Sequence, residues 1–406
     1  MRKLISLFIS ITIIACSLAT FYAKAQETQE AVNPDIVDAY EYYDDDDYNP
    51  PEYDISKMKV VDHSIYYLYN NEYACIEFFN SEDFAVNATE INIKDYIDGI
   101  PVTRVNGSMI FYKNKLCYSN LEKITIPNTV KTIGYYAFSG LNQLKELSLP
   151  DSITKIGERA FRNTNITEIN IPRKLNYSPF AYAEMPKLKS ITIPKELGGI
   201  SECFFHSDNK LSKITFEESS KCNYVGSFAF QYCKSLKKIK LPDSMVSIEE
   251  GAFCDSGLSG ALTIPKKCKT IKLDAFSGCK GLTKVNFKGK NVFVGFASFN
   301  ACNKIKTMSG TENITVIEDS AFSSCRSLKS FTISKKLKRI NKNAFENCSS
   351  LRKIKVLTTK TKLFKGKKIF KGISSKCKMY VKTKAMKKAV KKCGFKGKII
   401  IKKNLK

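Results

Sequence analysis

Leu121-Glu122-Lys123-Ile124-Thr125-Ile126-Pro127 returns as Leu144-Lys145-Glu146-Leu147-Ser148-Leu149-Pro150, as Leu188-Lys189-Ser190-Ile191-Thr192-Ile193-Pro194 and as Leu236-Lys237-Lys238-Ile239-Lys240-Leu241-Pro242. In the first copy Ile124 and Ile126 alternate with Lys123 and Thr125, the period of a strand with one buried face. Pro127 ends it, because proline has no N–H to give to a ladder. A polar turn follows, then an inward Val130 or Ile153, then Ile133-Gly134 or Ile156-Gly157, which we read as the closing turn of a coil. Ala137-Phe138 and its equivalents fill the opposite wall, alanine where coils approach closely and phenylalanine where one ring stacks on the next.

The aromatic position carries the phase: Phe138, Phe161, Tyr182, Phe205, Phe230, Phe253, Phe276, Phe299, Phe322 and Phe345, with an irregular earlier copy at Phe111. Seven of the nine steps are 23 residues and the others are 21 and 25. A period of roughly 20 to 29 residues with leucine-type residues at set offsets reads as a leucine-rich-repeat solenoid, in which each turn stacks only on its neighbours. The expectation is about eleven stacked repeats, a parallel sheet on one face, an N-terminal capping repeat and a C-terminal helical cap.

The strings Ile133-Gly134-x-x-Ala137-Phe138 and Leu144-x-x-Leu147-x-Leu149-Pro150 resemble the BspA-like leucine-rich repeats of bacterial surface proteins. The resemblance runs from residue 75 to 400, and the segment from Ile93 to Val105 is similar to the first repeat of that family. It implies an adhesion or host-interaction module rather than an enzyme. Three departures are local: Ser178-Pro179 in the fourth repeat, Ser207-Asp208-Asn209 in place of the cysteine region of the fifth, and Met308-Ser309-Gly310 where a regular strand is expected in the ninth.

Residues 1–25 read as a signal peptide: Arg2 and Lys3, an apolar run from Leu4 to Leu18, and Ala23-Lys24-Ala25 ahead of the cut. A competing reading takes Ile13-Ile14-Ala15-Cys16 as a lipobox with Cys16 lipidated. Either places the chain outside the cytoplasm, secreted or surface-associated, and after cleavage no stretch approaches the roughly 20 apolar residues of a membrane span. Residues 26–55 hold eleven acidic residues and no Lys or Arg, a disordered spacer composition. The remaining boundaries are 56–104 for the N-terminal cap, 105–361 for the solenoid and 362–406 for a lysine-rich C-terminal cap.

Cys233, Cys279, Cys302, Cys325 and Cys348 each follow the repeat phenylalanine by three residues, which makes them one recurring inward position. We read them as buried reduced thiols acting as small hydrophobes. There is no Cys-x-x-Cys pair, and His63 and His206 are the only histidines, so neither a metal site nor a cofactor site is expected. A nucleophile needs a base within reach, which leaves His63 and His206 as the sole histidine candidates; no catalytic site is assigned.

Charge is uneven along a chain of net +27. Residues 352–406 contain 22 Lys or Arg and no acid. Within them Met386, Ala389, Val390 and Cys393 follow the spacing of one buried helix face, with Thr383 as N-cap, Gly394 at the end, and Lys384, Lys387, Lys388, Lys391 and Lys392 on the outer face as a candidate polyanion patch. On the strands, residues alternating with the inward ones point out and form two columns on what we expect to be a continuous sheet. The candidate binding face comprises Lys213, Thr215, Lys238, Lys240, Thr263, Lys284, Asn286, Ser309, Thr332, Lys353 and Lys355. The partner is expected to be a protein or glycan on a host or neighbouring cell surface, or alternatively an anionic wall polymer; no specific nucleic-acid partner is expected.

Overall fold

The computed structural model describes residues 58–61, 64–69, 72–78, 89–106, 120–364 and 368–405. The leader, Cys16, the acidic segment, His63 and Phe111 lie outside the described residues. The rest is a parallel β-solenoid of about twelve stacked turns of about 23 residues.

The proline-terminated strings form a first set of parallel pairings, the proline ladder. Glu90–Asn92, Lys123–Thr125 and Glu146–Ser148 stack in order, as do Ser259–Ile264, Gly281–Phe287 and Thr307–Ser309. Register is kept from coil to coil: Lys123 pairs with Glu146, Ile124 with Leu147 and Thr125 with Ser148. Ile124 and Leu147 are accordingly buried while Thr125 and Ser148 stay exposed. Met308 does not break the pattern. It occupies the inward position opposite Val285, but the ladder stops at Ser309: Gly310, at φ +73°, leads into the short 3-10 turn Thr311–Asn313, and Ser330–Ile333 begins a separate set of pairings.

The Ile-Gly pairs do more than close the coil. Thr132–Ile133 and Lys155–Ile156 pair in parallel, and so do Tyr224–Val225, Ser247–Ile248, Thr270–Ile271, Val292–Val294, Ile314–Ile317 and Arg339–Ile340. This second array is the glycine ladder. The chain is extended for only about two residues per coil there, but the backbone groups still find the same residues one coil away, as in Gly157 N to Ile133 O at 2.8 Å and Gly295 N to Ile271 O at 2.8 Å.

The third wall is the Ala-Phe turn. Its backbone also bonds along the stack, Phe138 N to Ala160 O at 2.7 Å and Phe253 N to Ala275 O at 2.8 Å. Rings follow each other face to face: Phe230, Phe253, Phe276 and Phe299 have successive centroids 5.2 Å apart with interplanar angles of 11°, 2° and 13°. Each is fully buried, worth about 1.5–3 kcal/mol from removal from water alone. The stack tilts only around Tyr182, by 37° against Phe161 and 39° against Phe205, where the 21-residue step falls.

Both ends are capped. Antiparallel strands Met58–Val61, Ser64–Tyr69 and Glu72–Phe78 join the glycine ladder through Ile100–Val105, and the buried Tyr66 hydroxyl accepts from Lys94 N at 3.0 Å. At the other end the helix Lys384–Lys392 starts at Thr383, whose Oγ1 accepts from Met386 N at 3.0 Å, and ends before Gly394 at φ +81°. Met386, Val390 and Cys393 are buried. The cap also adds two strands to the proline ladder, Lys378–Val381 and Lys398–Ile401.

Candidate binding faces

Lys213, Thr215, Thr263, Lys284, Asn286, Ser309, Thr332, Lys353 and Lys355 all lie on strands of the proline ladder with their side chains outward, exposed or half-buried. Lys238 and Lys240 are exposed but belong to no strand. The expected continuous sheet is therefore interrupted between Phe216 and Ser259. The break adjoins the 25-residue repeat and extends across the regular 23-residue step that follows it. One further interruption separates Ser309 from Ser330, and another accompanies the 21-residue repeat. There Glu168 makes only an isolated bridge to Ser190, and the Asn170 side chain substitutes for a strand, its Oδ1 accepting from Leu149 N at 2.8 Å and its Nδ2 donating to Leu149 O at 2.6 Å.

The columns run further than the sequence reading placed them. Ser330, Lys353, Lys378 and Lys398 stand in one register, beside Thr332, Lys355, Tyr380 and Ile400. Lys378 and Lys398 were missed, although Met379-x-Val381 and Ile399-x-Ile401 repeat the alternation of Ile354-x-Val356. Neighbouring strands sit about 4.7–4.9 Å apart, so these lysines form a closely spaced row. Lys353 Nζ lies 5.7 Å from the Tyr380 ring centroid. Lys284, Lys306, Lys329, Lys353, Lys378 and Lys398 make no ion pair among the described residues. The helix lysines Lys384, Lys387, Lys388, Lys391 and Lys392 are exposed too, but on a separate element that connects the last two strands.

The earlier coils are paired instead. Lys123 contacts Glu90 at 2.7 Å and Lys145 contacts Glu122 at 2.8 Å. Hydrogen bonding and attraction by Glu90 raise the Lys123 pKa. Arg173 bridges Glu196 and Glu217, at 2.9 Å each, and the Arg173 bond holds the Glu217 carboxyl below its usual range.

Among the described residues the buried thiols are held in their neutral form. The ladder thiols donate to the carbonyl of the phenylalanine one coil back, Cys279 to Phe253 O and Cys302 to Phe276 O at 3.1 Å, Cys348 to Phe322 O at 3.2 Å. Cysteines from Cys203 to Cys393 are all unbridged. Burial pushes the Cys279 and Cys348 thiols up to about 12, which suppresses the thiolate that nucleophilic chemistry requires. His206 packs edge-on against Tyr232, centroids 5.7 Å apart, and burial lowers its pKa. Asp208 stands where the ladder cysteine stands elsewhere. It is fully buried, Oδ1 accepts from Met185 N at 2.7 Å, and burial pushes its carboxyl well above the usual range. Among the described residues no group of three His, Cys, Asp or Glu is arranged to hold a metal ion, and no helix is long and apolar enough to cross a membrane.

A profile described as the BspA type leucine rich repeat region matches residues 109–221, 200–289 and 258–377. The chain is similar to a solved leucine-rich repeat protein from Bacteroides ovatus, at 18% identity over 85% of this chain and 99% of that one, with a TM-score of 0.50. A leucine rich cell surface protein from Faecalibacterium prausnitzii aligns at 20% identity over 82% and 97%, TM-score 0.38. The pneumococcal vaccine antigen PcpA aligns at 17% over 85% and 98%, TM-score 0.40. At 18% identity the likeness to the Bacteroides ovatus protein is one of fold. No curated protein gives a match to the sequence.

Proposed function

Because the chain belongs to the BspA-type leucine-rich repeat family, we propose that it is an exported, non-catalytic interaction protein that presents the outward columns of its proline ladder to a protein or glycan on a host or neighbouring cell. The observation that carries this reading is the coil-to-coil register, which holds Lys284 beside Thr307 and Asn286 beside Ser309 with the inward residues fixed behind them. A repeated, rigid and outward face is what solenoids use for extended partners. Export rests on the leader, the apolar run and the Ala23-Lys24-Ala25 site. The test is capture of surface extracts by the mature chain and by a Thr263→Lys, Lys284→Glu, Asn286→Ala variant. A partner retained at high salt by the first and lost by the second supports the reading; equal capture by both overturns it.

A second reading has its own observation, the in-register row Lys353, Lys378 and Lys398. In it the chain is a wall-associated protein retained on an anionic polymer through its basic C-terminal end. Counterion release makes such binding fall steeply with salt, whereas a partner held by a buried hot spot persists. Changing Lys353, Lys378 and Lys398 to Gln, or the five helix lysines to Gln, measures which element carries the attraction. Loss of heparin or wall-polymer binding at low salt in either variant supports the reading, and unchanged binding in both overturns it.

A further inference from the structure

We infer that a groove on the glycine ladder, walled by Tyr177 and Tyr224, is a binding site for a neutral saccharide. It lies on a different array from the proline-ladder columns and does not rest on their reading.

The first observation is where apolar surface is left exposed. Among the described residues eight large hydrophobics are exposed, and Tyr135, Tyr177, Val246, Leu273 and Phe296 among them flank the glycine ladder. The second is a fault in that ladder. Between Ile156 and Tyr224 strand pairing gives way to an isolated bridge, Ile200 with Val225, and serine hydroxyls take over the backbone groups. Ile156 N donates to Ser178 Oγ at 3.2 Å and Ser178 N to Ser201 Oγ at 3.0 Å. The 21-residue and 25-residue steps bracket this region, so it is the one stretch from Phe138 to Phe345 where groups converge from coils that are out of phase.

Beside the fault lies a groove of about 510 Å³ whose lining includes Tyr177, Glu202, Asn223, Tyr224, Ser247 and Glu249. That volume falls within the range of small-ligand sites. The Tyr224 ring packs against Gly199, where a Cβ would stand 2.0 Å from its Cε1. Tyr177 is 58% exposed, and its hydroxyl donates to Glu202 Oε2 at 3.4 Å.

The chemistry selects the ligand. Tyrosine rings offer apolar faces with a polar tip, which suit the C–H face of a pyranose. Glu202 and Glu249 accept hydrogen bonds, serine hydroxyls and the Asn223 amide both donate and accept, and a sugar edge demands that mixture. A peptide finds little here, since the coils already use their backbone groups on one another. Charge excludes an anionic glycan. Glu202 has no ion pair among the described residues, and Glu249 is matched by Lys272, so the groove has no spare cation in a chain of net +27.

The experiment is titration calorimetry of the full mature chain with maltohexaose, cellohexaose and chitohexaose, and with a heparin hexasaccharide as the anionic control. At least one neutral oligomer should bind saturably and independently of salt. Tyr177→Ala, at an exposed position, should leave the melting temperature unchanged and weaken that binding about tenfold or more. Tyr177→Phe, which keeps the ring, should retain most of the affinity, and Gly199→Val, which displaces Tyr224, should lose it. Binding of heparin alone, binding unaffected by Tyr177→Ala, or no binding of any of the three neutral oligomers each overturns the inference.

Discussion

The coils before Phe216 and those after Ser259 share most of an inward pattern and differ chiefly in the outward columns of the proline ladder. In the first group acids face bases across successive coils, Glu90 with Lys123 and Glu122 with Lys145. In the second, the outward columns hold Lys284, Lys353, Lys378 and Lys398 and no acid. Like charges directly opposite one another destabilise a sheet, and the second group still stacks, because its phenylalanines, isoleucines and alanines do the holding. Surface charge is thus independent of the fold, and the lysine row is a property that the architecture did not demand. The inner position three residues after the aromatic differs as well: Leu141, Thr164, Met185 and Asp208 in the earlier coils, mostly cysteine in the later ones.

The largest expected effect tests the shared part. Phe161→Ala and Phe276→Ala should each cost about 3–5 kcal/mol, and hydrogen exchange should show the loss spreading to flanking coils in both groups. A large cost in one group and none in the other would mean that the two are not held alike.

Asp208 offers the next. Its folded pKa is raised by burial first, with Glu184 adding to the rise and the Met185 N–H opposing it; Cys233 is the other titratable group beside it. The folded chain therefore keeps a proton that the unfolded chain has released, and stability falls as pH rises from the ordinary carboxylate range through the raised value. Asp208→Asn should remove that slope and stabilise the chain at neutral pH by about 1–3 kcal/mol. Urea midpoints measured across pH check it, and a variant as pH-sensitive as the parent would remove Asp208 from the account.

For the thiols, native labelling without reductant should leave Cys279, Cys302, Cys325 and Cys348 unmodified, and denaturation alone should expose all four. Cys302→Ala should cost about 1 kcal/mol. Disulfide-linked peptides from adjacent coils in mass spectra would make the later coils covalently stapled and end the comparison on these terms. The smallest effect is Thr263→Lys, which adds one more cation to the later group and should change stability by no more than about 0.5 kcal/mol, read from the same urea curves.

Most of the stack was legible because its signal is repetition. Phe276 and Ile124 announce their burial by phase, and Thr383 with Gly394 frames a helix whose apolar residues recur on one face. The glycine ladder was not legible, since two extended residues such as Thr132 and Ile133 give no alternation to count, and only parallel register from coil to coil turns them into a sheet. Lys238 and Lys240 misled for the converse reason. Their local pattern is that of a strand, but Ile239 between them is only half-buried and neither neighbouring coil pairs with this segment. Tyr177 and Tyr224 escaped notice because neither belongs to the recurring apolar pattern, and only the fold shows what they line.

In every wall of the coil, backbone hydrogen bonds link one turn to the next along the stacking direction. A pull applied along that direction loads them in series rather than sharing the load among them. The weakest turn then yields alone, and each 23-residue coil that lets go releases about 75–80 Å of extended chain. A tether built this way lengthens in steps under shear, dissipating work at each one, so that a bond at its tip outlasts a tug that would break it on a stiff rod.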